Sequence, residues 1–317
     1  MNGHPNLLPG RVVAAYGRHV VVESPDGTRR ICHPRGKKNT ALVGDKVLWC
    51  PSANEGTIEK IEPRQNLFYR QDDVRTKSFA ANLDQVLILL AAEPEFSERQ
   101  LARALIAAEA AGIQPLIGLN KSDLATPFSR AWQRLAPYRD MGYTVLRLCL
   151  NPKSDPAPPE ADSSPDTWAT QSDHLEGKLT LVLGPSGVGK STLINRCVPD
   201  AFALTNEISK ALNSGKHTTT STLWYWVGED RRSALIDSPG FQEFGLRHIE
   251  ATQLAALMPD IRRHLGHCKF YNCTHLHEPG CGIIASVKNS DSAYKIDESR
   301  YKIYCELFEE LSQTRHW

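Results

Sequence analysis

Residues 184–191 read GPSGVGKS, a GxxxxGKS pattern, and Thr192 follows. An unbroken apolar run, residues 179–183 (LTLVL), precedes it and reads as a buried strand. Residues 191–196 (STLINR) then read as a helix. Strand, glycine-rich loop and helix in that order is the context in which this pattern binds phosphate. It commits the chain to an α/β fold whose ligand lies at strand C-termini. Gly184, Gly187 and Gly189 let backbone N–H groups turn inward on phosphate oxygens, with Pro185, Ser186 and Val188 completing the loop. Lys190 is expected to reach the β- and γ-phosphates and the Ser191 hydroxyl to sit on Mg²⁺, while the helix N-terminus adds a field favourable to the anion. A plain glycine turn from strand to helix is the bland alternative, and the complete motif with both flanks outweighs it.

The 317 residues allow two or three domains, and an apolar fraction of 41% supports real cores. Net charge is only +1, so nothing global calls for a nucleic-acid partner. The charge is uneven, however: residues 1–70 carry 11 Lys/Arg against 6 Asp/Glu. No apolar run approaches a membrane span and no secretion signal opens the chain, so a cytoplasmic location and no membrane association are expected. A monomer is the default expectation.

Residues 7–62 read as five short strands separated by turn signals such as Pro25-Asp-Gly27. That density points to a small barrel, with an OB-fold the leading candidate. Residues 29–38 (RRICHPRGKK) hold five fixed positive charges, which in a barrel context read as a nucleic-acid contact. Residues 63–82 read as a polar connector. An alternating pattern follows: a strand at 86–90, a helix opened by the capping box at 97–100, a strand at 113–119, a helix at 129–141 and a strand at 143–148. Residues 151–173 are rich in Pro, Ser and Asp and read as a linker. Beyond the phosphate loop, residues 223–227 and 233–237 read as paired strands, and a helical pattern from 250 ends in a last helix at about 292–311.

Three further motifs carry chemistry. Asn120, Lys121, Ser122 and Asp123 (NKSD) follow a strand and read as a guanine reader. The Asp123 carboxylate can accept from both N1–H and the exocyclic amine of guanine, and adenine would leave it unpaired. Asp237 and Gly240 frame DSPG, in which the carboxylate can hold Mg²⁺ through water and the glycine N–H can meet the γ-phosphate. Alone, DSPG reads better as a type I turn. One of Thr218, Thr219 and Thr220 is expected to contact Mg²⁺ from a mobile loop. Cys268, Cys273, His275 and Cys281 offer three thiolates and an imidazole, a closed set suited to structural zinc, with His267 and His277 as competing ligands. Phe270, Tyr271 and His277 are expected to pack the knuckle, with stacking on RNA bases the alternative.

Ordinary GTPases run phosphate loop, threonine, DxxG, then NKxD. Here NKSD comes first, which one sheet accommodates if the chain is circularly permuted and residues 151–173 join the old ends. DSPG then leads directly into the cysteine-rich region, which can feel the nucleotide state.

With these motifs in hand the chain resembles the ribosome small subunit-dependent GTPase A family (RsgA, also called YjeQ) over nearly its whole length. The likeness rests on Val43-Gly-Asp-Lys-Val47, on the NKSD, GPSGVGKST, HTTT and DSPG series, and on residues 273–281 (CTHLHEPGC). It implies an RNA-binding OB-fold at residues 1–66, a circularly permuted P-loop GTPase domain at 67–250 and a small α-helical zinc-binding domain at 251–317. It implies GTP hydrolysis with Mg²⁺, one structural zinc, and late maturation of the small ribosomal subunit with that subunit and its rRNA as partners. The family's zinc pattern selects His275 over His277. The Ser-Ala signature that walls the guanine base elsewhere is not evident near residues 145–149. Phe241 stands where a water-orienting Gln is usual and Gln242 is displaced by one. The likeness makes His248 a candidate catalytic residue beside Lys190, the alternative being a switch histidine without part in hydrolysis. Two rival functions are a permuted GTPase in another RNA-bound process and an RNA-binding scaffold with a vestigial nucleotide site.

Overall fold

The computed structural model describes residues 7–16, 19–36, 40–52, 55–72, 76–151, 173–199, 201, 222–239, 244–288 and 295–313. The first five strands are β1 (Leu8–Tyr16), β2 (His19–Glu23), β3 (Arg29–Pro34), β4 (Lys46–Pro51) and β5 (Gly56–Ile61). Strand β1 bonds to both β2 and β4, β3 runs parallel to β5, and β5 returns against β4, so the five strands close a barrel. Val12, Val20, Val22, Val47, Trp49 and Ile58 fill it, as alternation along short strands requires. The expected OB-like barrel is therefore present. Its Val43-Gly-Asp corner has a local reason. Gly44 adopts φ +91, and a Cβ there would strike the Ala81 carbonyl. Asp45 is fully buried and holds the Arg64 guanidinium through both oxygens, at 2.7 and 2.8 Å.

The connector expected at residues 63–82 is instead a hairpin, β6 (Leu67–Gln71) against β7 (Thr76–Ala81). Phe68 and Phe79 bury against Phe244, with ring centroids 5.7 to 6.0 Å apart, so the hairpin is held by a segment far along the chain.

A second group of strands forms the nucleotide sheet: β8 (Gln85–Ala91), β9 (Gln114–Asn120), β10 (Thr144–Arg147), β11 (Leu179–Leu183), β12 (Thr222–Val227) and β13 (Ser233–Asp237). Their order is β10-β9-β8-β11-β13-β12, parallel except for β12. Strand β8 is buried along its whole length, as a parallel strand covered on both faces must be. Helix α1 (Glu98–Ala110) begins at Ser97, whose hydroxyl accepts from the Gln100 N–H, so the predicted cap is present. The single helix expected at 129–141 is two, α2 (Ala125–Arg134) and α3 (Ala136–Asp140), with Pro137 in the first turn of α3. Proline lacks the N–H and crowds the preceding turn, which breaks the run. The linker at 151–173 lies almost wholly outside the described residues.

Barrel and sheet are continuous. Ala14 and Ala15 of β1 pair with Leu223 and Thr222 of β12. The Arg11 guanidinium lies 4.8 Å from the Trp224 ring centre, and buried Glu23 accepts from the Trp226 indole at 2.6 Å.

Helix α4 (Lys190–Cys197) follows the phosphate loop, and the C-terminal region is helical. It comprises a 3-10 stretch at Ala251–Leu257, α5 (Pro259–Arg262), α6 (Gly282–Lys288) and α7 (Glu298–Ser312). The last helix starts at the Asp297 cap, later than expected, because the Asp297 carboxylate takes the Ser299 N–H at 2.8 Å. Arg300 is 2% exposed and makes two bonds to Asp260, at 3.0 and 3.3 Å, with its guanidinium 5.1 Å from the Tyr138 ring of α3. Arg103 of α1 reaches both Glu310 and the Phe244 carbonyl, and Arg247 donates to the Glu310 carbonyl at 2.6 Å. The segment after β13 is thus clamped between α1 and α7.

Candidate nucleotide site and metal centre

Because β8, β9, β10, β11 and β13 are mutually parallel, the loops leaving β9, β10, β11 and β13 emerge along one edge of the sheet. Those loops carry residues 120–123, 148–151, 184–189 and 237–239, so the permuted motifs converge. Gly184 crosses within reach of β8: a Cβ there would stand 2.5 Å from the Leu89 carbonyl oxygen. Gly187 and Gly189 take φ +82 and +105, and Gly189 caps α4, so the loop's N–H groups are free to curl. Ser186 is exposed, Val188 is buried beneath the loop, and Ser191 and Thr192 are exposed in the first turn of α4. Lys190 Nζ donates to the Gly184 and Pro185 carbonyls, each at 2.8 Å, lying across its own loop where a phosphate oxygen can replace a carbonyl. Burial pulls its pKa down, opposed by Asp237, the anionic neighbour.

At the base end, Asn120 is 4% exposed and holds two loops together. Its Nδ2 donates to the Val188 carbonyl at 2.9 Å, and its Oδ1 accepts from the Leu150 N–H at 3.1 Å. Lys121 sits at φ 70 with its ammonium 2.5 Å from the Glu93 carbonyl, and the Ser122 N–H donates to the Leu148 carbonyl at 3.1 Å. The Asp123 carboxylate is exposed and accepts from the Asn151 amide at 3.1 Å, with Cys149 Sγ 3.9 Å from its other oxygen. Arg196 of α4 fixes the Cys149 carbonyl at 2.9 Å. Cys149, Leu150 and Asn151 therefore stand at the Asp123 end of the loops, the stretch where no Ser-Ala signature is evident in the sequence. Their residue types carry no signal; only their position at the end of β10 could have found them.

Asp237 ends β13 with Oδ1 buried and, among the described residues, without a hydrogen-bond partner, and burial pushes its pKa up to about 6 against the pull of Lys190. An orphaned carboxylate oxygen beside a lysine fits a cation of the Mg²⁺ class reached directly or through water. Ser238, which is buried, donates to the Val182 carbonyl at 2.7 Å and anchors the turn. Gly240, Phe241, Gln242 and the three threonines Thr218, Thr219 and Thr220 lie outside the described residues. His248 is partly buried, its ring 4.4 Å from that of Tyr69 and its Nδ1 without a partner among the described residues; burial lowers its pKa, which favours the neutral imidazole. The backbone around it is pinned to β6: Gln71 N donates to Gly245 O at 3.1 Å and Arg247 N to Gln71 O at 2.9 Å.

In the helical region Cys268, Cys273, His275 and Cys281 present ligand atoms all within 4.8 Å of one another. His275 Nδ1 lies 3.5 Å from both Cys268 Sγ and Cys281 Sγ, edge lengths a tetrahedral Zn²⁺ site can take up. His275 reaches the centre at φ 64, and Glu278 braces the turn by accepting from the Thr274 N–H at 2.7 Å and hydroxyl at 2.5 Å. Tyr301 and Tyr304 of α7 donate to the His275 and Thr274 carbonyls at 2.7 and 2.8 Å, tying the knuckle to the last helix. His267 and His277 are outside the set. The expected packing role of the aromatics does not hold for Tyr271, which is fully exposed.

The RsgA GTPase family model matches residues 61–247. A Variovorax paradoxus protein described as small ribosomal subunit biogenesis GTPase RsgA is 66% identical over 310 residues, covering 98% of this chain and 94% of its own. A Burkholderia pseudomallei protein of the same description is 49% identical over 306 residues, with coverages of 96% and 92%. Among solved structures, YloQ, described as a circularly permuted GTPase, superposes with a TM-score of 0.68 at 26% identity, covering 100% of this chain and 99% of its own. YjeQ from Thermotoga maritima gives 0.71 at 26% identity, with coverages of 98% and 100%. With its motifs gathered on one sheet edge in permuted order and relatives matching along nearly its full length, the chain belongs to the RsgA GTPase family.

Proposed function

We propose that this chain hydrolyses GTP in the biogenesis of the small ribosomal subunit, with residues 1–66 as RNA-binding barrel, 67–250 as GTPase domain and 251–317 as zinc-bearing helical domain. The observation that carries the nucleotide reading is Asn120. Its side chain bonds the phosphate loop on one side and the base wall on the other, so the two halves of a guanine nucleotide site are built as one unit. In this reading Asp123 reads the guanine edge, Lys121 lays its stem along the base, and Asn151 holds the Asp123 carboxylate in plane. The N–H groups of residues 184–189 and the Lys190 ammonium hold the phosphates. Ser191 and Asp237 would hold Mg²⁺, which when bound would supply positive charge to the nucleotide's phosphates.

His248 orients the attacking water in this reading, and a neutral imidazole held by the Tyr69 ring suits that task. The partners are GTP, GDP, the small subunit and its rRNA, in the cytoplasm, and the protein acts as a monomer. A vestigial scaffold is not favoured, since Asp123, Lys190, Ser191 and Asp237 are all retained. The clamp of the post-Asp237 segment between α1 and α7 supports coupling between nucleotide state and the zinc domain.

The test is single-turnover GTP hydrolysis with and without purified small subunits. Strong stimulation is expected, lost in Lys190→Ala. His248→Ala should lower the stimulated rate while leaving GTP affinity nearly intact. Absence of any stimulation in the unaltered protein sinks the ribosomal reading, and a normal rate in His248→Ala assigns the water to another group.

A further inference from the structure

The metal knuckle carries a feature that neither the nucleotide site nor the fold uses. Cys268 and Cys273 bracket four residues, Lys269, Phe270, Tyr271 and Asn272, whose ends are fixed by the two ligand cysteines. The Lys269 N–H donates to the Gly280 carbonyl at 3.0 Å, closing the loop at its base. Tyr271 is 102% exposed and Phe270 42% exposed; among the described residues the only other large apolar side chain this open is Leu7, at 38%. Lys269 Nζ lies 5.6 Å from the Phe270 ring centre, which keeps a cation beside the rings. His267 and His277 flank the tip and are exposed, and residues 265–277 contain no carboxylate.

Two adjacent open rings on a loop with both ends at the cysteine cluster form a compact aromatic surface available to a ligand. The charge beside the rings is a cation, Lys269, and no other large apolar side chain within the loop extends them into a broader apolar patch. Rings that offer flat faces and a neighbouring positive charge, with the nearest acid in the knuckle, Glu278, engaged by Thr274 and the His277 N–H, are complementary to an unpaired nucleotide of RNA. We propose that residues 269–272 are a base-stacking finger, in which the Tyr271 ring receives one unpaired RNA base and Lys269 meets an adjoining phosphate. The inference rests on the ribosomal reading above and adds to it a defined contact outside the barrel and the nucleotide site.

The test compares full-length protein with Tyr271→Ala, Tyr271→Phe and Lys269→Ala, first checking that each holds zinc and folds. Binding is measured to small subunits with a non-hydrolysable GTP analogue, and to protein-free rRNA of that subunit. Base–aromatic stacking predicts about a five- to hundred-fold loss of affinity for Tyr271→Ala on both targets. Tyr271→Phe should bind as the unaltered protein does, and Lys269→Ala should weaken binding with a shallower salt dependence. Basal GTP hydrolysis should be unchanged in all three. Equal binding by Tyr271→Ala on both targets overturns the proposal. A loss on intact subunits with none on protein-free rRNA also overturns it, in favour of a protein partner. The unaltered protein reports separately on the ribosomal reading: if it does not bind subunits, that reading fails before the variants are compared.

Discussion

Asp237 makes a quantitative prediction about magnesium. Its carboxylate is buried with one oxygen unpartnered, and its pKa stands at about 6 where the ordinary value is 3.8. A raised folded pKa contributes stability that is full below the unfolded value and is lost as pH rises through the folded one. Between about pH 4 and 6 the metal-free protein therefore loses that contribution. Keeping that carboxylate ionised without a cation therefore costs on the order of 3 kcal/mol. Magnesium bound with a guanine nucleotide is expected to remove that cost, since a cation at Asp237 would supply the partner the buried oxygen lacks among the described residues. It follows that Mg²⁺ must displace the Asp237 proton below pH 6. The factor by which Mg²⁺ strengthens nucleotide binding should fall about tenfold between pH 7.5 and pH 5, the fraction of carboxylate still ionised at one unit below its pKa. The assay is titration of a fluorescent guanine nucleotide in Mg²⁺ and in EDTA across that range, for the unaltered protein and Asp237→Asn. The nucleotide's own titration affects both proteins alike, so the difference between them isolates Asp237. The Mg²⁺ increment should be small and flat with pH in Asp237→Asn. An identical pH profile in the two proteins would refute the argument and place the metal on other groups.

Three further outcomes are expected. Asp123→Asn should weaken GTP and improve binding of xanthosine triphosphate, since an amide can donate where xanthine presents a carbonyl; competition binding with both nucleotides checks this, and unchanged GTP affinity means that Asp123 does not read the base. Asp260→Ala strands the buried Arg300 charge and should cost about 3–5 kcal/mol in denaturant unfolding, whereas Asp260→Ala with Arg300→Met should recover a good part of it; a double variant no better than the single one shows that the pair is not the issue. Chelation of zinc should unfold residues near 255–317 while nucleotide binding persists, as read by proteolysis and nucleotide titration on one sample, and purified protein without zinc would show the centre to be something else.

The motifs legible in the sequence were those whose chemistry is local. A glycine-rich loop between a strand and a helix, a capped helix at Ser97 and four closely spaced ligands at 268–281 each draw their geometry from neighbours a few residues away. Even the permuted motif order could be read, because a parallel sheet presents all its strand C-termini on one edge whatever the chain order. The structure decided what depends on distant partners. The hairpin of β6 and β7 looks like a polar connector because only Phe68, Phe79, Ala80 and Ala81 of its two strands are buried, and the residue that covers the phenylalanines, Phe244, lies more than 160 positions beyond Phe79. Cys149 and Asn151 reach the Asp123 carboxylate by where β10 delivers them, with no residue pattern to announce them. The β1 to β12 pairing that fuses barrel and nucleotide sheet rests on backbone groups, which every residue carries. Tyr271, expected to pack, instead points to solvent, because among the described residues no distant segment comes over the loop to cover it. Local residue chemistry is written in the sequence, whereas pairings between distant segments are resolved only when the chain closes on itself and backbone hydrogen bonds and apolar surfaces find their partners.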